Sequence, residues 1–128
     1  MISIPEHLRD LFEKPILCAL ATLMPDGQPQ VTPVWCDYDG QYVRINTARG
    51  RQKDRNMSRN AKVSILLIEP QNGYHWVEVR GHINDIREQG AWEHINKLSH
   101  KYNGRDYPKN PGEIRVLYEI EPDKVNGR

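Results

Sequence analysis

Along the chain the apolar positions change period several times, and each change marks an element. Ile4, Leu8, Leu11 and Phe12 recur at helical spacing and give one apolar stripe, with Ser3 as candidate N-cap, Pro5 in the opening turn and Pro15 as the stop. Ile16 to Thr22 (ILCALAT) is apolar on both faces, as in a central strand, and Pro25-Asp26-Gly27 supplies the turn after it. In the next predicted strand, Gln30 to Tyr38, Val31, Pro33 and Trp35 alternate with Thr32, Val34 and Cys36. Pro33 has no N–H to donate, so it marks a bulge or an unpaired edge against which a ligand could lie. Asp39-Gly40 reads as a tight hairpin turn into Gln41 to Thr47. Lys62 to Glu69 (KVSILLIE) is the most continuous apolar run, and Pro70 to Gly73 turns it into a strand over Tyr74 to Arg87. Gly81 interrupts that strand where a bulge could bend it. Trp92, Ile95, Leu98 and Tyr102 form a second helical stripe ended by Asn103-Gly104, and a polar, proline-rich loop follows to Gly112. Glu113 to Glu121 alternates, with Ile114, Val116, Tyr118 and Ile120 on one face. Six strands, short turns and three modest helices predict a mainly β, antiparallel barrel with its helices outside or at the mouth.

One stretch, Val43 to Ile65, combines a strand end, a glycine, a basic helix and a second strand. Val43 and Ile45 alternate with Arg44 and Asn46, Thr47 closes the strand with a hydroxyl, and Gly50 permits the turn. Arg51, Lys53, Arg55 and Asn56 then stand on the first turns of a helix expected over Arg51 to Asn60. Unpaired backbone N–H groups and the positive dipole end favour a phosphate there. Taken alone, the same charges describe a solvated basic face. With Arg49 and Arg59 they could instead make a nucleic-acid patch, a reading that requires several neutralised phosphates and steep salt dependence.

The 18 Lys and Arg nearly balance 17 Asp and Glu, and a net charge of +1 gives no global reason to expect nucleic acid or an anionic membrane as partner. Electrostatic function must therefore be local. At 128 residues a single domain, 1–128, is expected, small enough for a dimer interface to matter to its stability. No apolar run approaches the ~20 residues of a membrane span, and the N-terminus lacks the charged-then-apolar order of a signal peptide, which predicts a cytoplasmic protein. Cys18 and Cys36 fall inside predicted strands, far from any CxxC spacing, and are expected to be buried free thiols.

No GxSxG, HExxH or P-loop occurs, so no side-chain nucleophile and no catalytic residue is nominated. His94 and His100 lie about 240° apart around a helix. His75 and His82, seven apart on a strand, take opposite faces unless the bulge resets the phase, and no metal site is expected. An oxidoreductase whose cofactor carries the reactive carbon asks less of its protein: binding, orientation and exclusion of water.

Four pieces, in order, carry a family resemblance: DGxPQxTPVW at 26–35, NTxxGRxKxRN at 46–56, EVRG at 78–81, and a helix ending KYNG at 101–104. The chain resembles the pyridoxamine-phosphate-oxidase-like proteins, whose fold is the FMN-binding split β-barrel, and especially their small deazaflavin branch, which uses coenzyme F420. The resemblance implies a six-stranded antiparallel split barrel and a homodimer with the cofactor near the subunit interface. It places the cofactor phosphate on Arg51, Gln52, Lys53 and Asn56, with Thr47 at the adjoining strand end. It lays the ring along the strand backbone near Thr32 to Trp35, with Thr32, Pro33 and Val34 as cofactor-binding residues, and it gives Tyr74 and Trp76 contacts to the cofactor from the next hairpin. Read without the family, those two aromatics suit hairpin packing equally. FMN-using oxidases of the superfamily carry an arginine and a lysine where this chain has Thr32 and Asp37, which favours deazaflavin over FMN. The expectation is an oxidoreductase moving hydride between F420 and a small unsaturated organic substrate. The alternatives are an FMN-binding oxidoreductase of the same fold, or a non-catalytic holder of flavin, heme or pyridoxal phosphate. The substrate pocket is expected to be shaped by the loop Gly104 to Gly112 and by a mobile tail, Lys124 to Arg128.

Overall fold

The computed structural model describes all 128 residues. A 3-10 turn (Glu6–Leu8) and α1 (Asp10–Glu13) lead into β1 (Cys18–Leu23), β2 (Pro29–Val34), β3 (Cys36–Tyr38) and β4 (Val43–Ala48). Then come α2 (Gln52–Arg59), β5 (Lys62–Ile68), β6 (Trp76–Arg87), α3 (Ala91–Asn103) and β7 (Arg115–Gly127). The strand expected over Gln30 to Tyr38 is thus two strands, and the count is seven rather than six. β2 pairs only with β1, Val34 opposite Cys18, while β3 pairs only with β4, Cys36 opposite Ile45; Trp35 belongs to neither ladder.

That break explains the topology. The ladder runs β2-β1-β5-β6-β7-β4-β3, antiparallel throughout, and its two ends are consecutive in the chain. The sheet therefore curls until its edges meet at Trp35, joined there by the chain rather than by a hydrogen-bonded ladder. Pro33 lies on the edge strand β2, where its missing N–H costs no ladder bond.

Gly81 does mark a bulge: the β6–β7 register shifts between Arg80 and Gly81, and again between Ile83 and Asp85. A Cβ on Gly81 would stand 2.4 Å from the Glu121 carbonyl oxygen and 2.9 Å from Ile120 Cγ2, so only glycine allows the crossing strand this close. The barrel interior is apolar, with Leu20, Ile45, Ile65, Val79 and Ile120 in one core with the N-terminal residues Ile4, Leu8, Leu11 and Phe12. Cys18 and Cys36 are buried free thiols in this core.

Several expectations are corrected. Ser3 is not a cap: the position before the 3-10 turn is Pro5, no side chain caps it, and the helical stripe is a 3-10 turn followed by one α turn. β1 alternates buried and half-buried residues instead of being apolar on both faces. The alternation expected for the last strand disappears, because Arg115 through Ile120 are all buried while Ile114 is 52% exposed and lies before the strand. The Lys124–Arg128 tail is no tail: β7 pairs with β6 as far as Gly127 opposite Val77, and Trp76 and Arg128 exchange two backbone hydrogen bonds of 3.0 Å. Tyr74 and His75 precede β6, in the turn. No helix is long and apolar enough to cross a membrane.

Candidate functional site

Between β4 and α2 the chain turns at Gly50, whose φ of 92° lies in the region glycine alone enters freely. Asp54, in the first turn of α2, locks this corner. It accepts from the Gly50 N–H at 2.9 Å, from Arg49 Nη1 at 3.1 Å and from the Tyr118 hydroxyl at 2.6 Å. Burial raises its carboxyl, but these donors outweigh burial and hold it below the usual carboxylate range. The backbone N–H groups of Gln52, Lys53 and Asp54 have no backbone acceptor, which leaves three donors open at the start of α2. Beside it, Thr47 is 1% exposed. Its Oγ1 is the one buried side-chain oxygen or nitrogen with no hydrogen-bond partner.

Thr47, Arg51 and Lys53 form one wall of a cavity of about 340 Å³. Burial, and then the like charges of Arg51 and Arg115, hold the Lys53 ammonium below its ordinary value, as expected of cations gathered on one space. Pro33, Val34 and Trp35 form the rim where β2 passes into β3. Trp35 stacks on Tyr102, with ring centres 5.2 Å apart and planes at 11°, and meets the edge of Tyr107 at 6.5 Å. The Tyr102 hydroxyl donates to Ile16 O at 2.7 Å and accepts from the Cys36 N–H at 3.2 Å, clamping the crossover.

The far wall rests on a buried polar chain. Arg115, 7% exposed, donates from Nε to Asn46 Oδ1 at 2.9 Å. From Nη1 it donates to the Tyr107 hydroxyl at 3.2 Å and to Glu113 Oε1 at 3.1 Å. With Oδ1 so engaged, Asn46 donates from Nδ2, to Ala91 O at 2.8 Å and to His94 Nδ1 at 3.1 Å. His94 Nδ1 is therefore an acceptor, and its proton sits on Nε2, 3.3 Å from Asp37 Oδ1. Arg44 grips the same carboxylate in two bonds of 2.9 and 2.8 Å. Burial raises the Asp37 carboxyl, yet His94 and Arg44 hold it well below its ordinary range.

Of the residues expected at the site, Pro33, Val34, Thr47, Arg51 and Lys53 come together on this cavity. The others stand elsewhere. Gln52 turns away and donates to Asn56 Oδ1 at 2.8 Å. Asn56, wholly buried, donates to Thr22 Oγ1 at 3.0 Å and Gln30 Oε1 at 3.3 Å and so docks α2 on β1 and β2. Thr32 faces Leu20 across the β1–β2 ladder. Tyr74 is 75% exposed, with the Arg128 guanidinium 5.6 Å over its ring, and Trp76 begins β6. The basic run divides: Arg49 pairs with Asp54 and Glu88, Arg55 folds onto Gly50 O and Gln52, and Arg59 reaches Leu23 O, leaving Arg51 and Lys53 to the cavity. Asn46, Tyr107 and Arg115 were not anticipated. A polar residue inside a buried strand was the available signal for Asn46 and Arg115; Tyr107, in a proline-rich loop, offers none. Four histidines each meet an aspartate: His75 with Asp10, His82 with Asp123, His94 with Asp37 and His100 with Asp106. The β6–β7 bulge also brings Glu121 to His82 and Asp123, their ligand atoms within 4.8 Å of one another.

The family model described as pyridoxamine 5'-phosphate oxidase matches residues 4–128. A solved structure of an F420 reductase is 33% identical and superimposes with a TM-score of 0.88, covering 98% of this chain and 100% of its own. A conserved hypothetical protein of Mycobacterium tuberculosis, 23% identical, has a TM-score of 0.76 over 95% of this chain and 82% of its own. HupZ of Group A Streptococcus, 22% identical, has a TM-score of 0.68 over 95% of this chain and 91% of its own. The last two show a common fold. Among curated proteins none matches.

Proposed function

The chain belongs to the pyridoxamine 5'-phosphate oxidase family, and from that membership we propose that it is an oxidoreductase that moves hydride between coenzyme F420 and a small unsaturated organic substrate. The observation that carries the cofactor reading is the unpartnered, buried Thr47 Oγ1 beside the free N–H groups of α2 and the Arg51 and Lys53 cations, an arrangement suited to a phosphate. Thr47, Lys53 and Arg51 would hold the phosphate. The rim of Pro33 and Val34, backed by the Trp35–Tyr102 stack, would support a flat ring. The likeness to an F420 reductase and the commitment of Asp37 to Arg44 and His94 both favour F420 over FMN. When bound, the cofactor supplies the ring carbon that gives or takes hydride. The chain's own part is orientation in a cleft from which water is excluded, worth several kcal/mol of the barrier. Reduction of a double bond takes hydride at one carbon and a solvent proton at the other, so no protein acid is required.

The test begins with separate titrations of F420 and FMN. F420 is expected to bind more tightly, and Lys53→Ala to weaken it by about 1.5–3 kcal/mol without altering the melting temperature. Deuterium from labelled reduced F420 should reach the product stereospecifically. Absence of saturable binding by either cofactor overturns the reading.

A further inference from the structure

Arg115 is a buried, firmly held cation on the same cavity as Arg51 and Lys53. Its Nε and Nη1 are fixed by Asn46, Tyr107 and Glu113, whereas Nη2 has no protein partner, and the residue lines the cavity. Its orientation is set from below by the Asn46–His94–Asp37–Arg44 chain, so the guanidinium fork is fixed before any ligand arrives. It lies on the aromatic side of the cavity, 5.1 Å from the Tyr107 ring centre, which in turn meets Trp35. Three cations, Arg51, Lys53 and Arg115, line this space, and Glu113, outside that lining, pairs with two of them. Glu113 spans two of them, with Oε1 at 3.1 Å from Arg115 Nη1 and Oε2 at 3.8 Å from Arg51 Nη2. It comes from the loop end just before β7, directly after Gly112, and hydrogen-bonds there through its own N–H to Asn110 O at 3.1 Å.

We propose that Arg115 binds a carboxylate of the substrate, and that Glu113, which pairs with Arg115 and Arg51 from outside the cavity lining, partly neutralises the charge that the substrate would meet. The proposal rests on the reading of the cavity as a cofactor site and names the substrate class for it: unsaturated carboxylic acids or their close anionic relatives. A planar carboxylate matches the fork of a guanidinium, and a fixed fork gives up little freedom on binding. The two roles predict opposite effects of neighbouring substitutions. Removing the Glu113 charge leaves Arg115 and Arg51 less neutralised and tightens carboxylate binding, while removing the Arg115 charge abolishes the site.

The probes are crotonate and crotonamide, one carbon skeleton with and without the charge, titrated into isotope-labelled protein by two-dimensional NMR. Crotonate is expected to shift the Arg115 Nε–H and Asn46 side-chain amide signals saturably, both in the chain alone and after saturation with F420. Crotonamide should leave them in place. Glu113→Gln is expected to lower the crotonate dissociation constant severalfold. Arg115→Gln should raise it by about tenfold or more, the scale of a lost charge-assisted hydrogen bond. F420 affinity should change less than about threefold in Arg115→Gln, where Thr47, Arg51 and Lys53 all remain; Glu113→Gln also frees Arg51, so that variant is judged on crotonate alone. If Arg115→Gln fails to fold, Arg115→Lys keeps the charge without the fork and should weaken crotonate to an intermediate degree. Equal binding of crotonamide, tighter crotonate binding failing to appear in Glu113→Gln, or a parallel loss of F420 and crotonate in Arg115→Gln overturns the proposal. Crotonate binding to a chain that takes neither F420 nor FMN would instead remove the cofactor reading and leave the carboxylate site standing.

Discussion

Asp37 illustrates what single residues of this chain do and how far they can be read in advance. Its cross-strand partner Arg44 is legible only as to strand: a tight turn at Asp39-Gly40 would set Asp37 opposite Tyr42, whereas the connection runs from Asp39 to Tyr42 and sets it opposite Arg44. Its other partner, His94, is 57 residues away, and nothing local announces that contact. Asp37 therefore reads from sequence as a missing phosphate-binding cation, whereas in the fold it anchors the buried chain that ends at Arg115. Asp37→Asn leaves Arg44 and His94 facing a neutral amide in a site 8% exposed, and should cost about 3 kcal/mol at neutral pH, the order found for breaking a buried pair. The sign with pH follows from its depressed carboxyl. The stability it confers is complete above the unfolded value near 3.9 and is lost as pH falls through the lower folded value. Urea midpoints for the two proteins should thus lie furthest apart near pH 7 and converge in strong acid. A constant gap from pH 7 to pH 2 would show that the charge of Asp37 is not what stabilises the fold.

At the scale of elements, what could be read depended on whether the deciding contact was local. Turn chemistry placed the β3–β4 and β5–β6 hairpins and the glycine corner before α2, because such signals reside in a few consecutive residues. The two-sided burial of β7 could not be read, since its outer face is covered by α3, and a periodic pattern reports only one buried face. The break at Trp35 was not legible for a related reason: alternation continues through it even though its two neighbours pair with different strands. Gly81 was legible as an interruption, and the fold supplies its cause in the approach of Glu121. A methyl group there must displace backbone, so Gly81→Ala is expected to destabilise by about 3 kcal/mol, the upper end for overpacking. The loss should appear as a lowered denaturation midpoint with an unchanged slope, while alanine at Gly73, where a Cβ meets nothing within 4 Å, should be nearly neutral. Similar midpoints for the two variants would mean the β6–β7 crossing can relax at no cost.

For the whole molecule, the curled sheet leaves β2 and β3 as edges, and the surface carries large apolar residues that a single chain does not cover: Leu17 at 59% exposure, Val31 at 62% and Ile114 at 52%. Val31 lies on the β2 edge strand and Leu17 on the cavity rim, so a second copy covering this side would also close the site. Such a homodimer gives a role to Tyr74, which stands exposed and outside the cavity of its own chain. Its ring could face a cofactor held by the other protomer's Lys53 and Thr47. In a two-fold dimer each site then needs Lys53 from one chain and Tyr74 from the other. Lys53→Ala and Tyr74→Ala homodimers should each bind F420 poorly. Unfolding and refolding the two variants together makes heterodimers in which one site carries both lesions and the other carries neither. With random pairing, about a quarter of all sites recover full affinity. Sedimentation should show a dimer at micromolar concentration, and Val31→Lys should shift it toward monomer. If the mixed sample binds F420 no better than the average of its parents, Tyr74 does not act across the interface, whatever the oligomeric state.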